Sequence, residues 1–170
     1  MSTTENLKLT HAKLVFHRDA VFLKVYPNEG ARMYAFYVLV VCKHLDRQVA
    51  SAARILGVLR PILSAVVHLV LLHRKHTFSS VWHDEVDRRL WCQLLSPFNN
   101  LKTIRVPNGL ARELSRFLDE EPPMELLPEV MEVEYSKSDA RVALIPFIET
   151  RRIGGRPVSL VYRGTRLAQI

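Results

Sequence analysis

The chain has 170 residues, of which 48% are apolar and 24% are charged, and its net charge is +7. This length suits one domain of ordinary size, and this composition excludes a disordered or fibrous protein. Its 2 cysteines lack a CxxC spacing, which excludes a disulfide framework and a cysteine-rich zinc domain. The longest nearly apolar run, residues 61–72, is shorter than the roughly 20 residues that cross a bilayer, and no secretory signal is visible. We therefore expect a single intracellular domain over residues 1–170, in the cytoplasm or nucleus.

The positive charge is concentrated in the first part of the chain. Residues 1–108 carry 15 basic and 7 acidic side chains, whereas residues 109–170 carry 9 basic and 10 acidic ones. A basic surplus permits attraction to nucleic-acid phosphates. The basic residues are scattered, however, and aromatic residues do not alternate with them as a base-stacking platform requires. Nucleic-acid binding is therefore a minor alternative.

The opening segment, residues 1–45, is predicted to be rich in β structure. Two runs, residues 12–16 and 21–26, contain many β-branched and aromatic side chains, and the short stretch between them is typical of a hairpin. A dense apolar run at residues 34–42 favours a strand that is buried on both faces. Asp46 is then a candidate N-cap for an amphipathic helix, which Pro61 would end.

One apolar spacing recurs along the rest of the chain, residues 46–170. The order apolar-x-x-apolar-x-x-apolar-x-apolar fits residues 63–71, 98–106 and 127–135, with a partial copy at 158–162. The last two positions of each copy alternate as in a strand, while the earlier ones suit a loop that places apolar side chains in the core. The residues expected to point inward are Leu69, Leu71, Ile104, Val106, Val133, Tyr135 and Leu160.

Helical candidates lie between the copies, at residues 84–95, 109–118 and 139–152, and Asn108 and Asp139 are candidate N-caps. The last has Val142, Ile145 and Ile148 on its predicted apolar face. Strands that alternate with helices imply right-handed crossovers and a parallel sheet. We predict an α/β fold, namely a leucine-rich-repeat-like stack of strand-helix units with a mostly parallel sheet and a β-rich N-terminal segment. An ordinary doubly wound α/β domain is the alternative.

Residues that could carry chemistry do not form a recognisable site. Imidazole and thiolate suit zinc, but no pair of histidines four residues apart with a glutamate lies on a predicted helix. Asp84 and Glu85 follow His83, yet neighbours in sequence do not make a catalytic dyad, and neither a nucleophile elbow nor a phosphate-binding glycine pattern accompanies them. Gly154-Gly155 is typical of a helix C-terminus. The residues weighed for metal binding are His68, His73, His76, His83 and Cys92. We expect no metal, no cofactor and no catalysis, and a small basic α/β enzyme stays an alternative.

Several stretches resemble the C-terminal half of the F-box proteins that are expanded in mushroom-forming fungi. They are VASAA at 49–53, LLSPFNNLKTIRV at 94–106, NGL at 108–110, ELSR at 113–116, MELLPE at 124–129 and GRPVSLV at 155–161. The resemblance runs from about residue 14 to 163, and residues 98–106 are its most specific part. In that family an N-terminal F-box docks on the adaptor of a cullin-RING ubiquitin ligase, and the repeat-like remainder selects a target.

No Leu-Pro-x-Glu opening of an F-box precedes the β-rich start of this chain. The resemblance therefore implies the target-recognition part alone, in a fragment or in a shortened relative, without its own attachment to a ligase. We predict a non-catalytic protein-binding module whose partner is a protein rather than a nucleic acid or a membrane.

The candidate contact residues are the strand positions that alternate with the inward ones. Stacked strands would place Arg105 next to Glu134, and the whole row would mix apolar, basic and acidic side chains, as a selective protein-binding face requires. The partner-binding candidates are His68, Val70, Arg105, Glu132, Glu134 and Arg163.

Overall fold

The structure is a computed structural model that describes residues 8–74, 86–106, 110–119, 127–136 and 138–163. These residues form one seven-stranded sheet with helices. In chain order the elements are β1 (His11–Phe16), β2 (Ala20–Tyr26), β3 (Phe36–Val41), α1 (Leu45–Val58), α2 (Arg60–Leu63), β4 (His68–His73), α3 (Arg88–Leu95), β5 (Thr103–Val106), α4 (Ala111–Asp119), β6 (Glu132–Tyr135), α5 (Ser138–Ile153) and β7 (Ser159–Tyr162).

The sheet joins an antiparallel meander to a parallel array. Its strand order is β3-β2-β1-β4-β5-β6-β7, in which β1, β2 and β3 pair antiparallel and every pair from β1–β4 to β6–β7 is parallel. The first strand of the meander is thus the neighbour of the first strand of the array. The predicted α/β fold with a mostly parallel sheet is confirmed at this level, and the hairpin lies where the sequence predicted it.

The recurring apolar spacing has the same local structure in each copy. A backbone hydrogen bond joins its second apolar residue to its first, from Val66 N to Leu63 O (3.1 Å), from Leu101 N to Phe98 O (3.3 Å) and from Val130 N to Leu127 O (3.2 Å). All of these side chains are buried. The strand positions that follow are also inward: Leu69, Leu71, Ile104, Val106 and Val133 are buried, and Tyr135 and Leu160 pack against the core.

The helices cover one face of the sheet. Buried residues of α1 and α3, such as Leu56 and Leu94, belong to the same apolar cluster as Leu69 and Ile104. None of the positions that alternate with those inward strand residues belongs to this cluster. Such an arrangement follows when successive crossovers have the same hand and always step to the same side of the sheet. We call the uncovered side of the sheet the open face.

The strand predicted to be buried on both faces is an edge strand. β3 pairs only with β2 among the described strands, and its side chains alternate between half-buried and exposed. Tyr37 (37% exposed), Leu39 (46%) and Val41 (77%) lie on the open face. The prediction was wrong because a continuous apolar run does not distinguish a central strand from an edge strand.

Two predicted N-caps are also corrected. The N-cap of α1 is His44, and Asp46 lies in the first turn, where its charge favours the helix dipole. Asp139 likewise lies in the first turn of α5, which begins one residue earlier, and the third candidate, Asn108, lies outside the described residues. In α3 the capping residue is Asp87, whose side chain accepts a hydrogen bond from Arg89 N (2.8 Å), so this helix begins later than expected.

The apolar face predicted for α5 is wrong at Val142 and Ile145 and is confirmed at Ile148, which packs against the core. Its buried residues are Ala140, Leu144 and Phe147, whereas Val142 is 67% exposed and Ile145 is 47% exposed.

The end of α5 is as predicted. Hydrogen bonds from Gly155 N to Arg152 O and from Arg156 N to Arg151 O form a Schellman motif, and Gly155 has the positive φ of 72° that this motif requires.

Candidate functional site: the open face of the sheet

All six candidate contact residues lie on the open face. His68 and Val70 are in β4, Arg105 is in β5, Glu132 and Glu134 are in β6, and Arg163 follows β7. The strand register sets Val70 opposite Arg105 and Arg105 opposite Glu134. The structure therefore confirms their shared placement, and their contact with a partner stays a prediction.

Glu134 is the centre of a chain of ion pairs across this face. Its Oε2 lies 3.8 Å from Arg105 Nε, and its Oε1 lies 3.0 Å from Arg163 Nη2. The predicted placement of Arg105 next to Glu134 is thus confirmed. Arg163 Nη1 in turn lies 3.6 Å from Glu29 Oε1. Sequence reasoning missed Glu29, because the turn between β2 and β3 is distant in sequence from β7.

The carboxyl group of Glu134 is costly to ionise where it lies. Its side chain is only 8% exposed. Burial raises the pKa of Glu134 above its usual range, although the charges of Arg163 and Arg105 oppose this shift. A buried acid whose partners do not fully offset its desolvation contributes little to stability.

The raised pKa of Glu134 predicts a pH dependence of stability. Because the folded state holds this proton more tightly than the unfolded state, the free energy of unfolding should rise as the pH falls from neutral through the raised pKa, and should level off below the usual glutamate range. Glu134→Gln should lack this component. Denaturant titrations of both proteins between pH 7 and pH 4 measure the difference. Glu149→Gln, which removes an exposed carboxylate paired with Arg152, is the control and should not remove the component.

Two histidines from different parts of the chain stack on the open face. His11 in β1 is opposite His68 in β4, and their ring centroids are 4.4 Å apart with an angle of 23° between the planes. Burial and, to a smaller extent, His68 lower the pKa of His11, while Glu29 opposes the shift. At neutral pH His11 therefore presents an imidazole, rather than an imidazolium, beside His68.

The part of the open face formed by β1, β2 and β3 was not predicted. Lys13 and Lys24 lie directly opposite each other there, and Lys24 Nζ lies over the rings of Tyr34 (5.5 Å) and Tyr37 (5.8 Å). Basic and aromatic side chains that are separate in the sequence thus meet in the fold. The alternation of polar His11 and Lys13 with apolar neighbours was a signal of this face, but the place of β1 beside β4 was needed to interpret it.

The residues considered for metal binding or catalysis do not converge. His68 lies on the open face and His73, also in β4, is buried on the covered side, so one ion cannot bind both. Cys92 is buried in α3, and His76 and residues 82–85 lie outside the described residues. In the described part of the chain no cluster of three or more His, Cys, Asp or Glu side chains could hold a metal ion. A small gap beneath α1, with room for about one water molecule, is lined by apolar residues alone.

No helix within the described ranges is long and apolar enough to cross a membrane. The candidate site is the open face, with its surface of mixed charge and apolar side chains. In comparisons with known proteins, no family model, no curated protein and no solved structure matches this chain.

Proposed function

We propose that this chain is a non-catalytic protein-binding module, built as a leucine-rich-repeat-like stack of strand-helix units, that recognises a protein partner through the open face of its sheet. The observation that carries the proposal is the row across this face. Val70, Arg105 and Glu134 are neighbours in register on three adjacent parallel strands. An apolar, a basic and an acidic side chain therefore lie next to one another across the strands.

The repeat-like description is supported by the local geometry. The same turn hydrogen bond recurs before β4, β5 and β6, and each unit pairs with its neighbour in sequence. A side-chain bond also links two successive turns, from Asn100 Nδ2 to Ser64 O (2.8 Å). Units that contact mainly their neighbours, with the strands forming one exposed surface, are typical of repeat proteins that bind other proteins.

The resemblance to fungal F-box proteins supports the same proposal from the sequence. Its most specific part, residues 98–106, forms the turn and strand that carry Ile104 in the core and Arg105 on the open face. On this basis the module is an intracellular target-recognition domain.

The test reverses the charges of Glu134 and of its two partners, which keeps the ion pairs of Glu134 and replaces the pair of Arg163 with Glu29 by two like charges. Because Glu134 contacts both Arg105 and Arg163, the suitable variant is the triple change Arg105→Glu, Glu134→Arg and Arg163→Glu. It lowers the net charge by two. Arg112→Gln with Arg141→Gln lowers it equally, at exposed positions of α4 and α5, and is the matched control.

The three proteins are used as baits in a quantitative pull-down from cell extract, after circular dichroism has shown that they melt alike. We expect a partner that the parent and the control enrich equally and that the triple variant loses. Equal recovery by all three baits would show that the open face is not the recognition surface.

A further inference from the structure

Four cations gather on the open face where the meander meets the parallel array. The basic cluster consists of Lys13, Lys24, Arg74 and Arg105. Lys13 and Lys24 are direct cross-strand partners, and Val70 separates Lys13 from Arg105 in the row across β1, β4 and β5. Arg74 directly follows β4, and its N–H bonds Phe16 O at the end of β1 (2.9 Å). Adjacent strands are about 4.8 Å apart, so Lys13 lies one strand spacing from Lys24 and two from Arg105.

This arrangement opposes folding. Like charges that are directly opposite on adjacent strands destabilise a sheet. Lys13 is half-buried between its neighbours, and burial together with the charges of Arg74, Lys24 and Arg105 lowers the pKa of its ammonium group. Among the ion pairs of the described residues, Arg105 is the member of the cluster that has a carboxylate nearby, and it shares Glu134 with Arg163. Local features that oppose the fold are expected where a ligand completes the site.

The other side chains of this region distinguish between the possible anions. Lys24 occupies one face of the Tyr34 and Tyr37 rings, which leaves less of them for stacking on nucleobases. Glu132 and Glu134, on the neighbouring strand β6, repel a continuous phosphate backbone that crosses the sheet. A short segment with separated carboxylates avoids both conflicts, and Val70 between the cations can receive an apolar side chain.

We propose that the basic cluster binds an acidic, extended peptide segment of the protein partner, in which carboxylate side chains alternate with small apolar ones. This inference rests on the proposed function, because it names the chemistry of the partner at the open face. The charges are complementary: carboxylates of the segment take the places near Lys13 and Lys24, which have no acid as a register partner in the described strands.

A direct binding assay tests the inference. The probe is a fluorescein-labelled ten-residue peptide of alternating glutamate and alanine, followed by fluorescence anisotropy at low and at physiological salt. A lysine-alanine peptide and a ten-nucleotide thymidine strand are the comparison probes. The variant is Lys13→Gln with Lys24→Gln. Its control, Arg54→Gln with Arg60→Gln, removes the same charge from exposed residues of α1 and α2.

We expect the parent to bind the acidic peptide more tightly than the oligonucleotide and to show no binding of the lysine peptide. Its affinity for the acidic peptide should fall as the salt concentration rises. The lysine double variant should weaken binding at least tenfold, and the arginine control less than twofold. Equal weakening by both variants, or no binding by the parent at low salt, would overturn the inference. Tighter binding of the oligonucleotide, lost in the lysine variant, would assign the cluster to nucleic acid instead.

The outcome is separable from that of the proposed function. If the acidic peptide fails while a partner is still lost on triple reversal of Arg105, Glu134 and Arg163, the acidic segment is rejected and protein binding by the open face stands. If the peptide binds as expected but the pull-down recovers the same proteins with every bait, the cluster is an acidic-peptide site and the parallel-strand row has no part in recognition.

Discussion

Ile104→Asp should lower the free energy of unfolding by more than about 3 kcal/mol, because it places an unpaired charge in the core. Ile104 is 1% exposed, and its neighbours in register are Leu69 and Val133, which are also buried. No polar partner is available to a carboxylate between these side chains. The measurement is the midpoint and slope of a denaturant titration at neutral pH.

Ile104→Val is the matched control, because it keeps the position apolar and removes one methylene, which costs about 0.5–1.5 kcal/mol. An Ile104→Asp midpoint equal to that of the parent would place this residue on the open face and would contradict the register of β5. Since a slip of one residue exchanges the two faces of a strand, the same result would remove Arg105 from the candidate site.

Gln48→Glu should cost about 3 kcal/mol or more at pH 7, because Gln48 is a buried donor to two carbonyl groups. Its Nε2 donates to His17 O (2.8 Å) and to Cys42 O (2.6 Å), and the residue is 0% exposed. It thus ties α1 to the β1–β2 turn and to the end of β3. An ionised glutamate only accepts hydrogen bonds, so both carbonyls would lose their donor and would face a negative charge.

Part of this loss should be recovered at lower pH, since burial raises the pKa of such a glutamate and its protonated form can donate one hydrogen bond. Denaturant titrations at pH 7 and pH 5 measure the recovery. Gln93→Glu, at an exposed position of α3, is the control and should change stability by less than about 0.5 kcal/mol. Equal effects at positions 48 and 93 would contradict the bridging role of Gln48.

The sequence was most informative where its pattern repeats. The spacing shared by residues 63–71, 98–106 and 127–135 predicted the inward register of three strands, because one choice of inward positions had to fit all three copies. A single segment offers no such test. In α5, residues 142–148 include apolar side chains on several sides of the helix, so periodicity could not select the buried Leu144 and Phe147 over the exposed Val142.

The same limit applies to the candidate site. The half of the open face that belongs to β4–β7 was predicted, because it alternates with the repeated core positions. Lys13 and Lys24 could not be assigned to it, since their place depends on the pairing of β1 with β4 across a long separation in sequence. The ion pair of Glu29 could not be predicted for a similar reason, because the turn that carries Glu29 meets Arg163 only in the folded chain.

The junction between the meander and the array has a kinetic consequence. His11 pairs with His68, 57 positions further along the chain, whereas β5–β6 partners such as Thr103 and Glu132 are 29 positions apart. Each doubling of a loop adds about 0.6 kcal/mol of closure entropy, and long-range contacts generally slow folding. We therefore expect the β1–β2–β3 meander and the β4–β7 array to form first as separate nuclei, and their joining along β1–β4 to be the late step.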